Sequence, residues 1–458
     1  MLSVFLFFLL LDGESMIVTE KRLRGRNCYS VETDEFKRTV ECRLVKLERD
    51  GKVYFMLYDD FANRNMDFFA FINYHLHYKS YNTREMYANA IRLLYCFLAI
   101  THTDITRMII DDVNNLKNFL LGRVSTKGET IYNISHRKKT VVNSYLGIYR
   151  EYFRYCGFKC KALYDTKLVT VYDYSGGEIN RTNITKYEVN ERTGNPVVRV
   201  PRYISLEEYR SILVYLRSEN KKKAEIIIRL MYEVGLRIGE VLSITSEDLC
   251  RKKIDGELKP VVYLRNRIAR ASNGRKISCK GLSKVQSRDS YDLREYYQEG
   301  LGYEIVPLSE ALYRAVNDYI DDFLDAAYEN GYIGNMEADS VIKDKHKRKN
   351  YYIFSNARYK CLSNKSWNEE LRKIFKAVGI LLDYGTRRHN LNHRFRHGYA
   401  MFQIKYMHID VLQLSKMMRH RCIASTMVYY RPTEIDEYNL KTEFTQGLYE
   451  NLHITQKD

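Results

Sequence analysis

Residues 393–402 read HRFRHGYAMF, with two histidines and two arginines among the first five residues and an apolar run directly after them. On a helix, His393 and Arg396 lie one turn apart, so both side chains can face the same point. Cationic side chains that cluster beside buried surface repel one another unless an anion lies between them. The stretch therefore predicts a helix that presents a binding site for an anion.

The same stretch offers a metal site as an alternative, because His393 and His397 have the i, i+4 spacing of a zinc-binding helix. A metalloprotease helix needs a glutamate between these histidines, whereas this sequence has Arg394 and Arg396. Two guanidiniums beside a divalent cation are strongly unfavourable. A phosphate fits better, since arginine binds its oxygens through a planar pair of donors, and we expect no metal site.

Two further stretches carry residues that could act on the same anion. In GLRIGEV, Arg237 follows a glycine that can end a helix, and Glu240 three residues later can brace the guanidinium. In MMRHRCIASTMVYYRP, His420 lies nine residues before Tyr429. If that segment is helical, Tyr430 points about 100° away from Tyr429.

The C-terminal part of the chain shows helical periodicity around two β-type runs. A helix begins sharply at Ser205, which forms a capping-box pattern with Glu208 ahead of EYRSILVYL. The runs VVYLRNR at 261–267 and YEIVPL at 303–308 predict two strands that enclose a long polar and basic excursion. We expect one domain over 203–458.

The N-terminal part divides into a short β segment and a helical domain. Residues 37–58 contain β-type runs around the turn signal RDGK, so residues 1–60 are predicted to be partly β. Residues 61–163 are predicted to form about four helices with these apolar stripes as core: Ile91, Leu94, Tyr95 and Leu98; Ile109, Val113, Leu116 and Leu120; Val141, Tyr145, Ile148 and Tyr152. Residues 164–202 lose the periodicity, are rich in Gly, Asn and Thr, and are interpreted as an interdomain linker.

Composition points to a soluble globular protein with a polyanionic partner. The 458 residues are too many for one typical core, and 45% are hydrophobic and 29% charged. Lys and Arg number 74 against 57 Asp and Glu, which gives a formal net charge of +17. This excess favours a polyanionic partner. The alternative from composition alone is a soluble protein that is merely basic.

The N-terminus and the cysteines bear on location. MLSVFLFFLLLDGES has no Lys or Arg before its apolar run, and the run is about half the length needed to span a bilayer. The sequence from Met16 onward is typical of the N-terminus of a cytosolic protein. Our hypothesis is therefore that residues 1–15 come from an upstream start codon. The nine cysteines form no CxxC pair, and CGFKC stands alone, which favours reduced thiols in a cytosolic protein without a zinc site.

The order and spacing of Arg237, His393-x-x-Arg396, His420 and Tyr429 resemble those of the tyrosine recombinase family, most closely the Xer-like and phage-type integrases of mobile elements. GLRIGEVLSI is similar to the family's first arginine box, LNHRFRHGYAM to its H-x-L-R-H box, and MMRHRCIASTMVYY to its L-G-H…T…Y box. Each box is only moderately specific, whereas the ordered set is much more so. The resemblance includes a helical domain ahead of the catalytic domain but does not reach residues 1–60.

The sequence departs from the family pattern in two places. Arg419 replaces the glycine that precedes the third-box histidine, which is expected to shift the backbone or to add a phosphate contact. The region between the two predicted strands is also longer than usual. It should hold the family's catalytic lysine, for which Lys276, Lys280 and Lys284 are candidates; we favour Lys280, with Lys284 second.

The resemblance implies a mainly α fold with a small β-sheet (α+β). A helical, SAM-like core-binding domain over 61–163 would precede a tyrosine recombinase catalytic domain over 203–458. It also implies a reaction on a DNA phosphodiester, in which Tyr429 attacks the scissile phosphorus to give a 3′-phosphotyrosyl enzyme and a free 5′-hydroxyl. This transesterification stores the bond energy, so no ATP, cofactor or metal is expected.

The remaining roles follow from the same resemblance. Arg237 and Arg396 would hold the nonbridging oxygens, and His420 would donate a further hydrogen bond. His393 would transfer the proton of the tyrosine, and Lys280 would protonate the leaving 5′-oxygen. The expected partners are double-stranded DNA and three further copies of the chain, in a homotetramer on paired DNA sites, with no membrane. The expected location is the bacterial cytoplasm, in association with the nucleoid when DNA is bound.

Two rival functions remain open at this point. A type IB topoisomerase uses the same tyrosine chemistry, although the helical domain and the residues of the three motifs favour recombination. A DNA-binding relative that has lost catalysis is the other, against which the complete set of five residues argues. The tail after Pro432 has apolar spacing that suits docking either on a neighbouring protomer or on its own domain.

Overall fold

The computed structural model describes most of the chain. The described residues are 15–23, 26–50, 52–126, 129–175, 178–193, 201–268, 279–285, 287–336, 338–341, 349–382 and 391–430, with single positions between 438 and 449. The apolar N-terminal run, Lys276 and the segment that follows Tyr430 lie outside them. The chain divides into two compact units, Met1–Pro196 and Val197–Asp458.

The strands of the first unit form three small sheets. They are β1 (Met16–Leu23), β2 (Arg26–Glu32), β3 (Lys37–Val40), β4 (Arg43–Arg49), β5 (Lys52–Tyr58), β6 (Thr130–Asn133), β7 (Thr166–Ser175) and β8 (Glu178–Tyr187). One sheet has the order β3-β2-β1-β6, in which β1 and β6 run parallel. β4 and β5 form the hairpin predicted around RDGK. Since β6 lies among the helices in sequence, the N-terminal strands and the helical region fold together.

The helices of the first unit bury most, but not all, of the apolar residues that were predicted to form the core. They are α1 (Met66–Ala70), which continues as a π-helical turn, α2 (Tyr81–Thr101), α3 (Ile110–Leu121), α4 (Lys139–Cys156) and α5 (Lys161–Tyr164). Most of the predicted core residues are buried, but Ile109 and Val141 are exposed. Ile109 is the N-cap residue of α3 and lies outside the helix, and Val141 lies on the exposed side of the first turn of α4. Besides Ile148 and Tyr152, α4 buries the neighbouring stripe that contains Val142, Leu146 and Tyr149.

The region interpreted as a linker contains regular structure. β7 and β8 pair along their whole length as an antiparallel hairpin, from Thr166 opposite Tyr187 to Ser175 opposite Glu178. The alternation of β-branched and aromatic residues in TKLVTVYDYS, followed by two glycines, is a hairpin signal that the polar composition masked. The divide between the two units comes after this hairpin.

The second unit packs helices around a three-stranded antiparallel sheet. Its helices are α6 (Leu206–Ser218), α7 (Lys222–Glu233), α8 (Ile238–Ser243), α9 (Glu310–Glu329), α10 (Asn364–Ala377), α11 (Leu391–Lys405), α12 (Val411–Met417) and α13 (Ala424–Met427). Its strands are β9 (Leu249–Ile254), β10 (Glu257–Arg265) and β11 (Tyr303–Pro307), in the order β11-β10-β9. The predicted strand pair is confirmed, since Val262 of β10 lies opposite Val306 of β11.

The core of the second unit holds the elements that carry the three sequence stretches. α7 contributes a nearly continuous apolar surface, with Ile227, Ile228, Leu230 and Met231 fully buried. Trp367 of α10 and Phe395 of α11 belong to the same core cluster. The helices and small sheets of the two units confirm the predicted α+β class. No helix among the described residues is both long and apolar enough to span a bilayer.

Candidate active site

The predicted cationic helix is α11, and its start is fixed by buried polar contacts. Asn392 accepts a hydrogen bond from the indole nitrogen of Trp367 at 2.6 Å and donates one to Asn368 at 2.6 Å. Phe395 is fully buried between these contacts and the core. These anchors set the rotation of the helix about its axis, and with it the directions in which the histidines and Arg396 point.

Arg396 is the most buried cation of the candidate site. Its guanidinium donates through Nη1 to the carbonyl of Gly235 and through Nη2 to the carbonyl of Met418. Gly235 has a φ of 67°, and a Cβ at this position would lie 2.6 Å from the ring of Tyr399. Burial, with a further contribution from the charge of Arg237, lowers the pKa of Arg396 to about 9. The group is still a cation at neutral pH, but it is held there at an electrostatic cost that an anion would relieve.

Arg237 and Glu240 form the predicted i, i+3 pair at the start of α8. The Nη1 of Arg237 lies 2.7 Å from Oε1 of Glu240, and the backbone N–H of Arg237 donates to Oε2 at 2.8 Å. Glu240 is only 2% exposed. The carboxylate therefore fixes both the main chain and the side chain of Arg237 from the buried side.

Arg419, which the sequence marks as a departure, adds a third guanidinium. Its Nη2 lies 2.7 Å from Oε2 of Glu240, and its Nε lies 3.2 Å from Oε2 of Glu304 on β11. Its φ of 51° lies in the left-handed region, which is where the family's glycine would be favoured. Burial alone would raise the pKa of Glu240, but Arg419, Arg237 and Arg396 bring it below its ordinary value. We call Arg237, Glu240, Arg396 and Arg419 the arginine cluster.

Tyr429 lies beside the arginine cluster, on a 3-10 turn from Val428 to Tyr430 that directly follows α13. The side chain is 5% exposed and packs with residues of α11 and α12. Its Oη lies 2.7 Å from Nδ1 of His397. Burial raises the pKa of Tyr429, while Arg396 and Arg237 oppose that rise. The neighbouring Tyr430 donates its hydroxyl to the carbonyl of Ile409 instead.

His420 stacks against the ring of Tyr429. The two ring centroids are 6.4 Å apart with the planes inclined by 12°. Its Nδ1 lies 2.8 Å from the hydroxyl of the buried Thr426. Burial, then Arg396 and Arg237, lower the pKa of His420 to about 4, so the ring is neutral at pH 7. A neutral ring that accepts from Thr426 at Nδ1 carries its proton on Nε2, where it can donate.

His393 lies one helical turn before His397, with the ring centroids 6.0 Å apart. Its side chain is exposed, and no hydrogen bond joins it to Tyr429, both residues being among those described. Partial loss of hydration, then Arg396 and Lys280, lower the pKa of His393. The residue in contact with the tyrosine is thus His397, which the sequence suggested only as half of a metal-binding pair.

Lys280 lies in the segment 279–285, which is tied to the end of β10. Asn266 donates to the carbonyls of Cys279, Leu282 and Ser283 at 3.3, 3.3 and 2.8 Å. Lys280 is exposed, and its charge is near enough to His393 to lower the pKa of that ring. Lys284 is exposed as well, and Lys276 lies outside the described residues.

All six residues predicted for the site belong to the second unit, and the structure brings five of them together around the arginine cluster and Tyr429, with Lys280 at the edge. Sequence reasoning missed the contacts of His397 with Tyr429, of Arg419 with Glu304 and of Thr426 with His420. Among the described residues, no group of three His, Cys, Asp or Glu side chains is placed to hold a metal ion.

No family model matches this chain. Tyrosine recombinase XerC from Caldanaerobacter subterraneus subsp. tengcongensis is 21% identical over 248 residues, which are 53% of this chain and 50% of that protein. Transposase A from transposon Tn554 of Staphylococcus aureus is 23% identical over 386 residues, 82% of this chain and 88% of the transposase. The chain thus spans about half of the first relative and most of the second.

Two solved structures were also found to be similar. The XerH site-specific recombinase bound to difH substrate is 12% identical with a TM-score of 0.46, covering 78% of this chain and 79% of that one. The Tn1549 transposon integrase in complex with transposon right end DNA is 14% identical with a TM-score of 0.46, covering 82% of this chain and 98% of that one. The sequence relatives confirm the predicted resemblance to tyrosine recombinases of the mobile-element type.

Proposed function

We propose that this protein is a site-specific DNA recombinase that cuts and rejoins DNA through a 3′-phosphotyrosyl intermediate, for the integration or excision of a mobile element. The observation that carries the proposal is the position of Tyr429. The buried phenol of Tyr429 lies near enough to two guanidiniums, Arg237 at the start of α8 and Arg396 of α11, for their charges to act on its pKa. A structural tyrosine would not need cations held in place at an electrostatic cost.

The arginine cluster supplies the anion site of the reaction. A phosphodiester between Arg237 and Arg396 would offset both the burial and the repulsion from Arg237 that lower the pKa of Arg396. Negative charge builds on the nonbridging oxygens in the pentacoordinate transition state, so donors that are already in place stabilise it most. Glu240 holds Arg237 from behind, which lets the guanidinium keep its orientation without a bound substrate.

The other residues complete the transfer. Tyr429 would attack the phosphorus, and Lys280 would protonate the leaving 5′-oxygen. His420, with Nδ1 on Thr426, has Nε2 available to donate to a nonbridging oxygen. His393 is exposed at the entrance, where it can contact the DNA phosphate. Rejoining reverses the same steps with a new 5′-hydroxyl, so no external energy source is required.

The substrate would be duplex DNA, bound largely through its phosphates. The formal net charge of +17 favours such binding, and the affinity should fall steeply as salt is added. Exchange between two DNA sites requires four active tyrosines, so we propose a homotetramer assembled on paired sites. The protein would act in the bacterial cytoplasm, on the nucleoid.

The experiment that tests the proposal is covalent capture of DNA. Wild-type protein is incubated with a pool of nicked duplexes with a randomised core, in which the nick lets the cleaved fragment leave and traps the enzyme. Complexes that survive denaturation are recovered, and their DNA is sequenced to define the preferred duplex. We expect an adduct with wild-type protein and none with Tyr429→Phe.

Tyr430→Phe is the matched control, because its hydroxyl is used on the carbonyl of Ile409. It should form the adduct at close to the wild-type rate. Loss of the adduct in Tyr430→Phe alone would move the nucleophile by one residue, and absence of any adduct in the wild type would overturn the proposal. Relaxation of supercoiled plasmid without joining of two captured duplexes would instead identify a topoisomerase.

A further inference from the structure

The contact between His397 and Tyr429 has no role in the reaction as set out above. The two residues are 32 positions apart in sequence, and their side chains meet at 2.7 Å between Nδ1 and Oη. The ring centroids are 5.5 Å apart with the planes inclined by 52°, so the two rings are tilted against each other and not stacked. The nucleophile candidate is therefore already in hydrogen-bond contact with a nitrogen that can accept its proton if the ring carries its own hydrogen on Nε2.

His397 is surrounded by positive or neutral groups. His393 and Arg396 face it from its own helix, and His420 faces it from the turn after α12. Burial and then these three groups lower the pKa of His397 to about 3. The ring is therefore neutral at pH 7, and a neutral imidazole has one nitrogen with a free lone pair.

We propose that His397 is the general base that takes the proton from Tyr429, in place of the role that the family resemblance gives to His393. The inference rests on the proposed function and specifies which group activates its nucleophile. His397 would carry its own proton on Nε2 and accept the phenolic hydrogen at Nδ1.

The step balances as follows. The Oη–H bond of Tyr429 breaks, the proton passes to Nδ1 of His397, and the freed electron pair forms the Oη–P bond. The P–O5′ bond breaks, and the leaving oxygen takes a proton from Lys280. In the reverse direction, the incoming 5′-hydroxyl gives its proton to the neutral amine of Lys280 and its oxygen forms the P–O5′ bond. The P–Oη bond breaks, and the imidazolium of His397 returns its proton to Oη.

The low basicity of the ring before DNA binds fits this role. The charge of Arg396 is one of the causes that lower the pKa of His397. A phosphodiester between Arg237 and Arg396 would offset that charge, so the basicity of His397 should rise when substrate is bound. Transfer of the proton would thus be coupled to the arrival of the phosphate, and the buried tyrosine would stay protonated in the absence of DNA.

The other two histidines are placed less well for this step. Nδ1 of His420 already bonds to the hydroxyl of Thr426. His393 is exposed, and its ring is one helical turn away from that of His397. Among the described residues, the hydrogen bond that Tyr429 makes through Oη is the one to His397.

The test uses the full-length protein and the nicked duplex that wild-type protein captures best. His397→Asn keeps a polar group at the position but cannot take up a proton, and His397→Phe fills the space without any acceptor. We expect adduct formation at pH 7 to be slowed about a hundredfold or more in both variants. His408→Asn is the control, because His408 is exposed and has a φ of 51°, which asparagine tolerates well.

The dependence of the rate on pH, and the rate with a modified tyrosine, show whether His397 acts as a base or only as a structural residue. If His397 is the base, the defect of His397→Asn should shrink as the pH rises, since more Tyr429 ionises unaided. A fluorinated tyrosine of lower pKa at position 429 should likewise restore most of the rate. Wild-type rates in both variants, or a defect that neither high pH nor fluorination relieves, would overturn the inference while leaving the proposed function intact. Absence of an adduct from wild-type protein would overturn both.

Discussion

The two sides of the candidate site are built in different ways. In the arginine cluster, Arg237 and Arg419 pair with the buried carboxylate of Glu240, Arg419 also lies beside Glu304, and Arg396 donates to two main-chain carbonyls. The segment 279–285 is held by hydrogen bonds that include those from the amide of Asn266, and Lys280 itself is exposed. Two of the three guanidiniums thus depend on buried ion pairs, whereas the lysine segment depends on hydrogen bonds to its main chain.

This difference matters for what each side can do. Buried charges that are paired keep their positions without substrate, but the removal of one partner leaves the others uncompensated. An exposed lysine stays hydrated in the folded protein, so it has no desolvation penalty, and its side chain can move toward a leaving group. Substitutions in the arginine cluster should therefore affect stability and chemistry together, whereas substitutions in the lysine segment should affect chemistry alone.

The largest effect is expected from Glu240→Gln. The change leaves Arg237 and Arg419 without their shared countercharge, and loss of one partner of a buried pair costs about 3–5 kcal/mol. The urea midpoint of unfolding should fall markedly, and adduct formation should slow by about a hundredfold or more. Glu310→Gln is the control, because its pair with Arg251 is exposed; an equal loss of stability there would remove the distinction between buried and exposed pairs.

The effect of Glu240→Gln should also depend on pH in a defined direction. The pKa of Glu240 in the folded protein lies below its ordinary value of 4.5, so ionisation favours the folded state. That contribution is present above pH 4.5 and is lost as the pH falls through the lowered pKa. Chemical denaturation at a series of pH values should show the difference between wild type and variant shrinking below pH 4.5; a difference that grows there would contradict the assignment.

Lys280→Ala should slow adduct formation about a hundredfold without changing stability. The leaving 5′-oxygen loses its proton donor, but the exposed side chain makes no buried contact that folding depends on. Single-turnover cleavage of the captured duplex and the urea midpoint measure the two quantities. Lys284→Ala serves as the control, and a greater loss there than in Lys280→Ala would transfer the role to Lys284.

Asn266→Ala should have an intermediate effect that depends on Lys280. Three carbonyls of the lysine segment lose their donor, so the segment should be held less firmly and the rate should fall about tenfold. Because the change acts through the lysine, it should add little in the Lys280→Ala background. Additive losses in the double variant would show that Asn266 acts elsewhere.

The smallest effect is expected from inorganic phosphate without DNA. An anion that occupies the arginine cluster stabilises the folded protein by about 1.4 kcal/mol at ten times its Kd, which corresponds to a rise in Tm of about 3 °C. Differential scanning fluorimetry should show this rise in wild type and not in Arg237→Gln. Arg251→Gln, in an exposed pair, should respond like wild type; an unchanged Tm in all three proteins would mean that the cluster does not bind phosphate.

Much of the site could be predicted because its parts are local in sequence. The pairing of Arg237 with Glu240 and the helix that begins before His393 follow from spacing of three or four residues. The strand pair β10–β11 was predicted from two apolar runs, although 37 residues lie between their facing ends at Arg265 and Tyr303. Periodicity alone fixes neither the residue at which a helix begins nor the side of its first turn that faces the core, which is why Ile109 and Val141 were misplaced.

The rest depends on tertiary packing. His397 meets Tyr429 only because the turn after α13 packs on α11, and no spacing in the sequence gives that distance. Arg419 was noticed as a departure, but its second partner, Glu304, comes from a strand 115 residues earlier in the chain. The hairpin of β7 and β8 was hidden by its polar composition.

Arg419 changes the net charge of the arginine cluster. Three guanidiniums against the carboxylates of Glu240 and Glu304 leave a single uncompensated positive charge. A phosphodiester carries one negative charge and would neutralise it, whereas a terminal phosphomonoester at neutral pH would carry nearly two and leave an excess. Under the proposed function, the net charge of these five groups would therefore be balanced by one internal phosphodiester linkage.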